Sequence, residues 1–204
     1  MRYIQVWVRG GAAIFIIYVA CVARLGSSLF SFHPFLMSLA FTGLMTEAIF
    51  MFSKFGLADG KLHSAKITAH WIVISLTAAA HGLGFAAIYY NKELASKPHY
   101  VSWHGCIGLA ASTLLWLQLS VGVFAKYPKL LKSIMHVKTV KANHGLFGMV
   151  TYTAGMVTIS LGLCSIWFQS NTSQLIFYSA LCLHILLMFI VCQKLIMKYA
   201  WVTS

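Results

Sequence analysis

Nine histidines stand in a chain of 204 residues that has only 3 acidic ones. Imidazole changes charge near neutral pH and is the commonest metal ligand, so these residues are where chemistry is to be sought. Four of them recur at even spacing. His33, His70, His104 and His144 are separated by 37, 34 and 40 residues. Two share a continuation, His104-Gly105-x-x-Gly108 and His144-Gly145-x-x-Gly148. The interval equals about one helical membrane crossing of 20 residues plus a loop.

The composition says what must hold them. The chain is 60% hydrophobic and 9% charged, with a mean hydropathy of +0.81. A soluble domain is about 25% charged, so water-soluble, disordered and collagen-like chains are excluded. The apolar runs predict helices at about 6–27, 33–53, 69–90, 103–124, 144–167 and 174–196. Segments such as Phe35 to Phe52 are apolar on every side, without the alternation of a barrel strand. A helix satisfies its own backbone, as lipid requires. The expectation is an all-α integral membrane protein, one transmembrane domain over 1–204. The first run is the shortest, with no charge from Gly10 to Ala23. It spans if Arg9 and Arg24 reach out to the two interfaces; the alternative is a signal peptide.

The charges orient the helices. Arg2, Arg9, Lys54, Lys61, Lys66, Lys126, Lys129, Lys132, Lys138, Lys141, Lys194 and Lys198 fall on one side, and only Arg24, Lys92 and Lys97 on the other. By the positive-inside rule the first side is cytosolic, with both termini there. The excess of cations thus marks topology and not nucleic acid. The five cysteines, Cys21, Cys106, Cys164, Cys182 and Cys192, all fall in predicted helices without a C-x-x-C pair. They are expected as free, buried thiols.

Each of the four spaced histidines lies within the first turn or so of a predicted helix. Successive helices run in opposite directions, so the histidines alternate between faces. His33 and His104 lie at the non-cytosolic end, His70 and His144 at the cytosolic end. Helices two to five then form a four-helix bundle with a histidine pair at each end. Two imidazoles facing each other across a bundle can hold one haem iron from both sides. Two pairs imply two haems, which divide a crossing of about 30 Å into short electron-transfer steps. Glycine four residues after His104 and His144, on nearly the same helix face, leaves space for a flat macrocycle. The alternative is ordinary small-residue helix packing. Two ligands on one helix, about four turns apart, are not available: His70 and His81 are only 11 residues apart, about 16 Å along one face.

These residues resemble the cytochrome b561 family over about 33–167. The specific pieces are His33-Pro34-x-x-Met37, His70 after a basic loop, and the histidine-glycine openings at His104 and His144. Leu25-Gly26-Ser27-Ser28-Leu29-Phe30, Leu44-Met45-Thr46-Glu47-Ala48 and Tyr127-Pro128-Lys129-Leu130-Leu131 match its short members. The resemblance implies six helices, two haem b groups with bis-histidine ligation (His33 with His104, His70 with His144) and a homodimer. It implies electron transfer from cytosolic ascorbate to monodehydroascorbate or ferric chelates across the membrane, and an endoplasmic reticulum or vesicle location. The competing class is a non-redox membrane carrier of metal ions or protons that uses histidines.

Ascorbate is an anion at neutral pH, and a basic surface attracts it. Lys61 and Lys66 precede His70, and Lys138 and Lys141 precede His144. Their alternative role is topology alone. On the other face Lys92, Lys97, His99 and Tyr100 are candidates for an anionic acceptor, and His99 for a haem propionate. His81, in mid-helix, lines the space between the haems or makes a polar helix contact. His184 is expected as a packed or hydrogen-bonded core residue. Glu47 lies 14 residues after His33 and so should point into the bundle, to a basic side chain, a structural hydrogen bond or a proton balance. No nucleotide-phosphate loop, flavin domain or nicotinamide motif is present, so the donor is small and diffusible or another protein.

Overall fold

A computed structural model describes residues 2–127 and 136–203. Lys129 and Lys132 of the basic set, and Pro128 to Leu131 of the motif above, lie outside the described residues. Among the described residues, six helices are long and apolar enough to cross a membrane. They are α1 (Arg2–Ala23), α2 (Leu29–Phe50), α3 (His63–Leu94), α4 (Trp103–Lys126), α5 (Val137–Leu163) and α7 (Gln174–Thr203), with a single turn, α6 (Ile166–Ser170), before the last. No strand occurs among the described residues. The chain is an all-helical, multi-pass membrane protein.

The helices pair by sequence neighbourhood. α2 packs closely on α3, and α4 on α5, while α3 and α4 touch little. The two hairpins therefore leave a slot between them. α1 and α7 pack on each other and cover α2 and α5 from outside. Short polar caps set the entries: Ser28 Oγ accepts from Ser31 N, and Ser102 Oγ from Gly105 N.

Several expectations are corrected here. α3 and α5 begin at His63 and Val137, seven residues before His70 and His144. Those histidines lie two turns inside their helices. The apolar run ends at the lysines, but Lys, Ala and Thr continue a helix into water. The cysteines are free, yet Cys21, Cys106, Cys164 and Cys182 are exposed on the outer faces and Cys192 is half-buried. A thiol is apolar enough to face lipid, and Cys106 Sγ also donates to the Tyr100 carbonyl at 3.0 Å. α1 begins at Arg2, so Arg9 is well inside a span and does not reach for an interface.

Glu47 turns away from the slot. Leu39–Met45 in the middle of α2 is a π-helix, which closes i→i+5 bonds and turns less per residue than an α-helix. The phase inherited from His33 is lost across it. Glu47 consequently faces α1, where both carboxylate oxygens accept from Arg9, at 2.6 Å from Nε and 3.0 Å from Nη2. Lys194 of α7 lies over the Phe50 ring nearby, at 4.5 Å. His184 is fully buried, as expected for a core residue. Its ring nitrogens reach Thr42 Oγ1 at 3.3 Å and Ser160 Oγ at 3.1 Å.

Lipid is as apolar as leucine, so burial alone does not hold α1 on α2. A charge pair in that setting does. Glu47→Ala should leave the Arg9 guanidinium unpaired and cost about 3 kcal/mol, whereas a joint Arg9→Met and Glu47→Met exchange should recover most of it. Unfolding in lipid nanodiscs measures both. Equal losses in the single and double variants would show that the pair is not what fixes α1.

Candidate cofactor site

The slot between the hairpins is where the four spaced histidines meet. His33 of α2 faces His104 of α4, with ring centres 6.1 Å apart and planes at 85°. His70 of α3 faces His144 of α5 at 6.3 Å and 84°. The pairs lie at opposite ends of the bundle, because α2 and α4 run one way and α3 and α5 the other. An imidazole nitrogen lies about 2 Å from a metal ion that it ligates. With about 1 Å more to its ring centre, two imidazoles opposed on one ion have centres about 6 Å apart.

The second nitrogen of each ring is committed. The Nδ1 atoms of His33, His70 and His104 lie at 3.0, 2.9 and 2.9 Å from the carbonyls of Gly84, Ala48 and Thr158. A carbonyl only accepts, so Nδ1 carries the proton and Nε2 keeps the lone pair that a metal needs. This is the usual outer support of a ligating histidine. At His144 the neighbour is the Gln118 side-chain amide, whose nitrogen lies 3.0 Å from Nδ1. Gln118 Oε1 is buried without a partner among the described residues. The same amide nitrogen donates to the His144 backbone carbonyl, so the amide stands with Nδ1 as its acceptor, and His144 differs in this from the other three rings.

The supports follow one rule. Gly84 comes fourteen residues after His70, Thr158 fourteen after His144 and Gln118 fourteen after His104; Ala48 comes fifteen after His33. In each antiparallel hairpin, each helix carries a histidine at its start and holds the other's histidine near its end. The one extra residue belongs to the helix with the π-helical stretch.

Close approach is reciprocal too. A Cβ on Gly162 of α5 would stand 3.1 Å from Cε1 of His104, and one on Gly122 of α4 would stand 3.2 Å from Cε1 of His144. Each glycine follows the histidine of its own helix by eighteen residues, five turns and the same face. The full repeat is therefore H-G-x-x-G-x13-G, and its last member is the one that seats a ring. The expectation for Gly108 and Gly148 is partly corrected. Gly108 lines the slot at the His33/His104 end, but a Cβ there would stand 3.2 Å from Thr158 Cγ2 of α5, so it also serves the close packing of α4 on α5. At Gly148 a Cβ would press on the Gln118 amide at 2.9 Å, so that position makes room for the support of His144.

A cavity occupies the slot at the His33/His104 end and reaches from Tyr100 and Ser102 at its mouth to His81 at its floor. Lys92 and His99 also line it. His99 stacks on Tyr89 with ring centres 4.5 Å apart and lies 2.7 Å from Glu93 Oε1. Lys92 Nζ donates to the Pro98 carbonyl at 2.8 Å. Lys97 is exposed and not among the cavity residues.

At the other end, Lys66 and Lys141 lie one turn before His70 and His144, with Lys61 and Lys138 beside them, exposed. An unforeseen residue accompanies them. Asp59 accepts from Phe55 N at 2.8 Å and Gly60 N at 3.0 Å, and lies 3.9 Å from Lys66 Nζ. The Phe55 N–H above all, with Gly60 and Lys66, holds its carboxyl below the usual carboxylate range. It stays ionised at neutral pH and closes the turn from Phe55 to Gly60 on itself.

The residues present fit an iron held between two imidazoles at each end: the ring separations at both ends, the protonated Nδ1 atoms of His33, His70 and His104 and the glycine seats agree. Comparison with known proteins gives the group a name. The sequence profile described as eukaryotic cytochrome b561 matches residues 32–169. Transmembrane reductase CYB561D2 of Bos taurus is 41% identical over 167 residues, 81% of this chain and 75% of the relative. The Homo sapiens protein of that name is 37% identical over 188 residues, 92% and 84% of the two chains. Probable transmembrane reductase CYB561D1 of Homo sapiens is 33% identical over 189 residues, 87% and 81% of the two. The chain belongs to the eukaryotic cytochrome b561 family of haem-binding transmembrane oxidoreductases.

Proposed function

We propose that this chain holds two haem b groups, one between His33 and His104 and one between His70 and His144. We read it as a carrier of electrons from cytosolic ascorbate to monodehydroascorbate or a ferric chelate on the opposite side. The observation that supports this reading most is the pair of opposed imidazoles at each end, 6.1 and 6.3 Å between ring centres. When bound, the haems supply reversible one-electron chemistry. The protein supplies ligation, orientation and the electrostatic field.

The two ends differ in what they offer a substrate. The His70/His144 end carries Lys61, Lys66, Lys138 and Lys141, and this concentration of cations supports a cytosolic placement. A monoanion is drawn to it, and a lysine one turn from each ring brings it near the histidines. At the other end Lys92 and His99 are anchored by Pro98 and Glu93, and form the mouth at which an anionic acceptor would be met. The likeness to the family supports a homodimer in endoplasmic reticulum or vesicle membranes. A carrier of metal ions or protons does not call for two matched pairs of imidazoles, one at each end of the bundle, at the separation of one shared ion.

Two outcomes are expected. Lys66→Ala with Lys141→Ala should raise the ascorbate concentration needed for haem reduction and flatten its salt dependence at unchanged haem content, since screening acts over about 8–10 Å. Stopped-flow reduction in oriented vesicles over a salt series measures this. Unchanged rates and salt slope would assign these lysines to topology alone. Gly162→Leu should push His104 off its seat and lower occupancy of the His33/His104 site, and Gly122→Leu should do the same for the His70/His144 site. Full haem content in both, by pyridine haemochrome assay, would remove the seating role.

A further inference from the structure

His81 is buried within the spans and belongs to neither pair of opposed imidazoles. It is 1% exposed, in the middle of α3. Its Nε2 lies 2.8 Å from Ser112 Oγ, and Ser112 Oγ donates its single proton to the Gly108 carbonyl at 2.7 Å. The serine therefore accepts, and Nε2 of His81 carries the hydrogen. Nδ1 is left with a bare lone pair, and it is buried with no partner among the described residues. An unpaired acceptor at such a depth costs free energy. His81 forms the floor of the cavity that His33 and His104 line, so the lone pair belongs to the space beside that site.

We infer that His81 is a proton site coupled to the redox state of the His33/His104 centre, a reading that rests on the haem assignment above. A ferric haem core, iron(III) with a porphyrin dianion, carries one net positive charge, and reduction removes it. In the oxidised state that charge opposes an imidazolium nearby. When one electron from the donor arrives, an N–H bond forms at His81 Nδ1 with one proton from water entering at the Tyr100/Ser102 mouth. Reoxidation by the acceptor releases the proton. Net charge around the buried centre is thereby kept constant, where an uncompensated change is expensive. Phe41, Phe85 and Trp116, with ring centres 5.9, 6.1 and 6.2 Å away, offer an imidazolium aromatic neighbours in place of water. The other titratable groups around the cavity are His33 on α2, Tyr89 and Lys92 on α3, His99 and Tyr100 in the next loop, and His104 on α4; α5 contributes none among the lining residues. None of these fills the place of His81 at the inner end.

Redox potentiometry of the haem-loaded protein in nanodiscs over a pH series tests this. The haem to follow is the one lost in His33→Ala. In the wild type its midpoint potential should fall by about 59 mV per pH unit, the tenfold change in a one-electron equilibrium that one proton per electron gives. His81→Gln, which keeps a donor for Ser112, should flatten that slope and leave the other haem unchanged. Ser112→Ala, which removes the bridge and keeps the imidazole, should retain the slope. A flat wild type, a slope that survives His81→Gln, or one lost equally in Ser112→Ala overturns the inference. A slope that survives points to the haem propionates. A wild type without a Soret band overturns the haem reading and this inference with it, and is distinguished at once by its lack of colour.

Discussion

The bundle depends on the hydrogen bond that Nδ1 of each of His33, His70 and His104 donates to a carbonyl on the neighbouring antiparallel helix. The bond fixes the ring plane, assigns the proton and leaves Nε2 facing the slot. It also couples the hairpins to themselves: α2 cannot slide on α3 without breaking the supports at Gly84 and Ala48 together. The same holds for α4 on α5 through Thr158 and Gln118. Four rings are thus set by two helix registers. The slot between the hairpins stays open because the close packing is spent within each hairpin.

The apolar setting makes such bonds decisive, since an unpaired polar group has no water to turn to. The spans meet this demand in several ways. Arg9 and Glu47 answer each other between α1 and α2. His184 is bracketed by Thr42 and Ser160, and the buried Tyr152 hydroxyl lies 3.1 Å from Thr46 Oγ1. Gln5 Oε1, Gln118 Oε1 and Nδ1 of His81 remain buried without a hydrogen-bond partner among the described residues, and His81 lies in the lining of the cavity beside His33 and His104.

Much of this was legible in the sequence. The histidine spacing and alternating helix direction give the pairing of His33 with His104 and of His70 with His144, and the apolar runs give six crossings. The core role of His184 follows from its place in an otherwise apolar helix. What was hidden has physical causes. The π-helical stretch in α2 has no signature in residue type, and it turns Glu47 out of the slot and toward Arg9. α3 and α5 start earlier than the apolar runs indicate, because hydropathy ends where the lysines begin while helix propensity does not. Gln118 and Asp59 act through geometry that spacing from the histidines alone does not single out. The seats at Gly122 and Gly162 were readable after all: the repeat H-G-x-x-G runs on to a glycine five turns later in both helices.

The most direct test is the haem-to-chain ratio of the purified protein and of its four single variants, His33→Ala, His104→Ala, His70→Ala and His144→Ala. If each opposed pair holds one haem, the wild type carries two. His33→Ala and His104→Ala then lose the same spectral component, and His70→Ala and His144→Ala lose the other. Two haems retained in every variant, or losses that pair His33 with His70, would contradict the account.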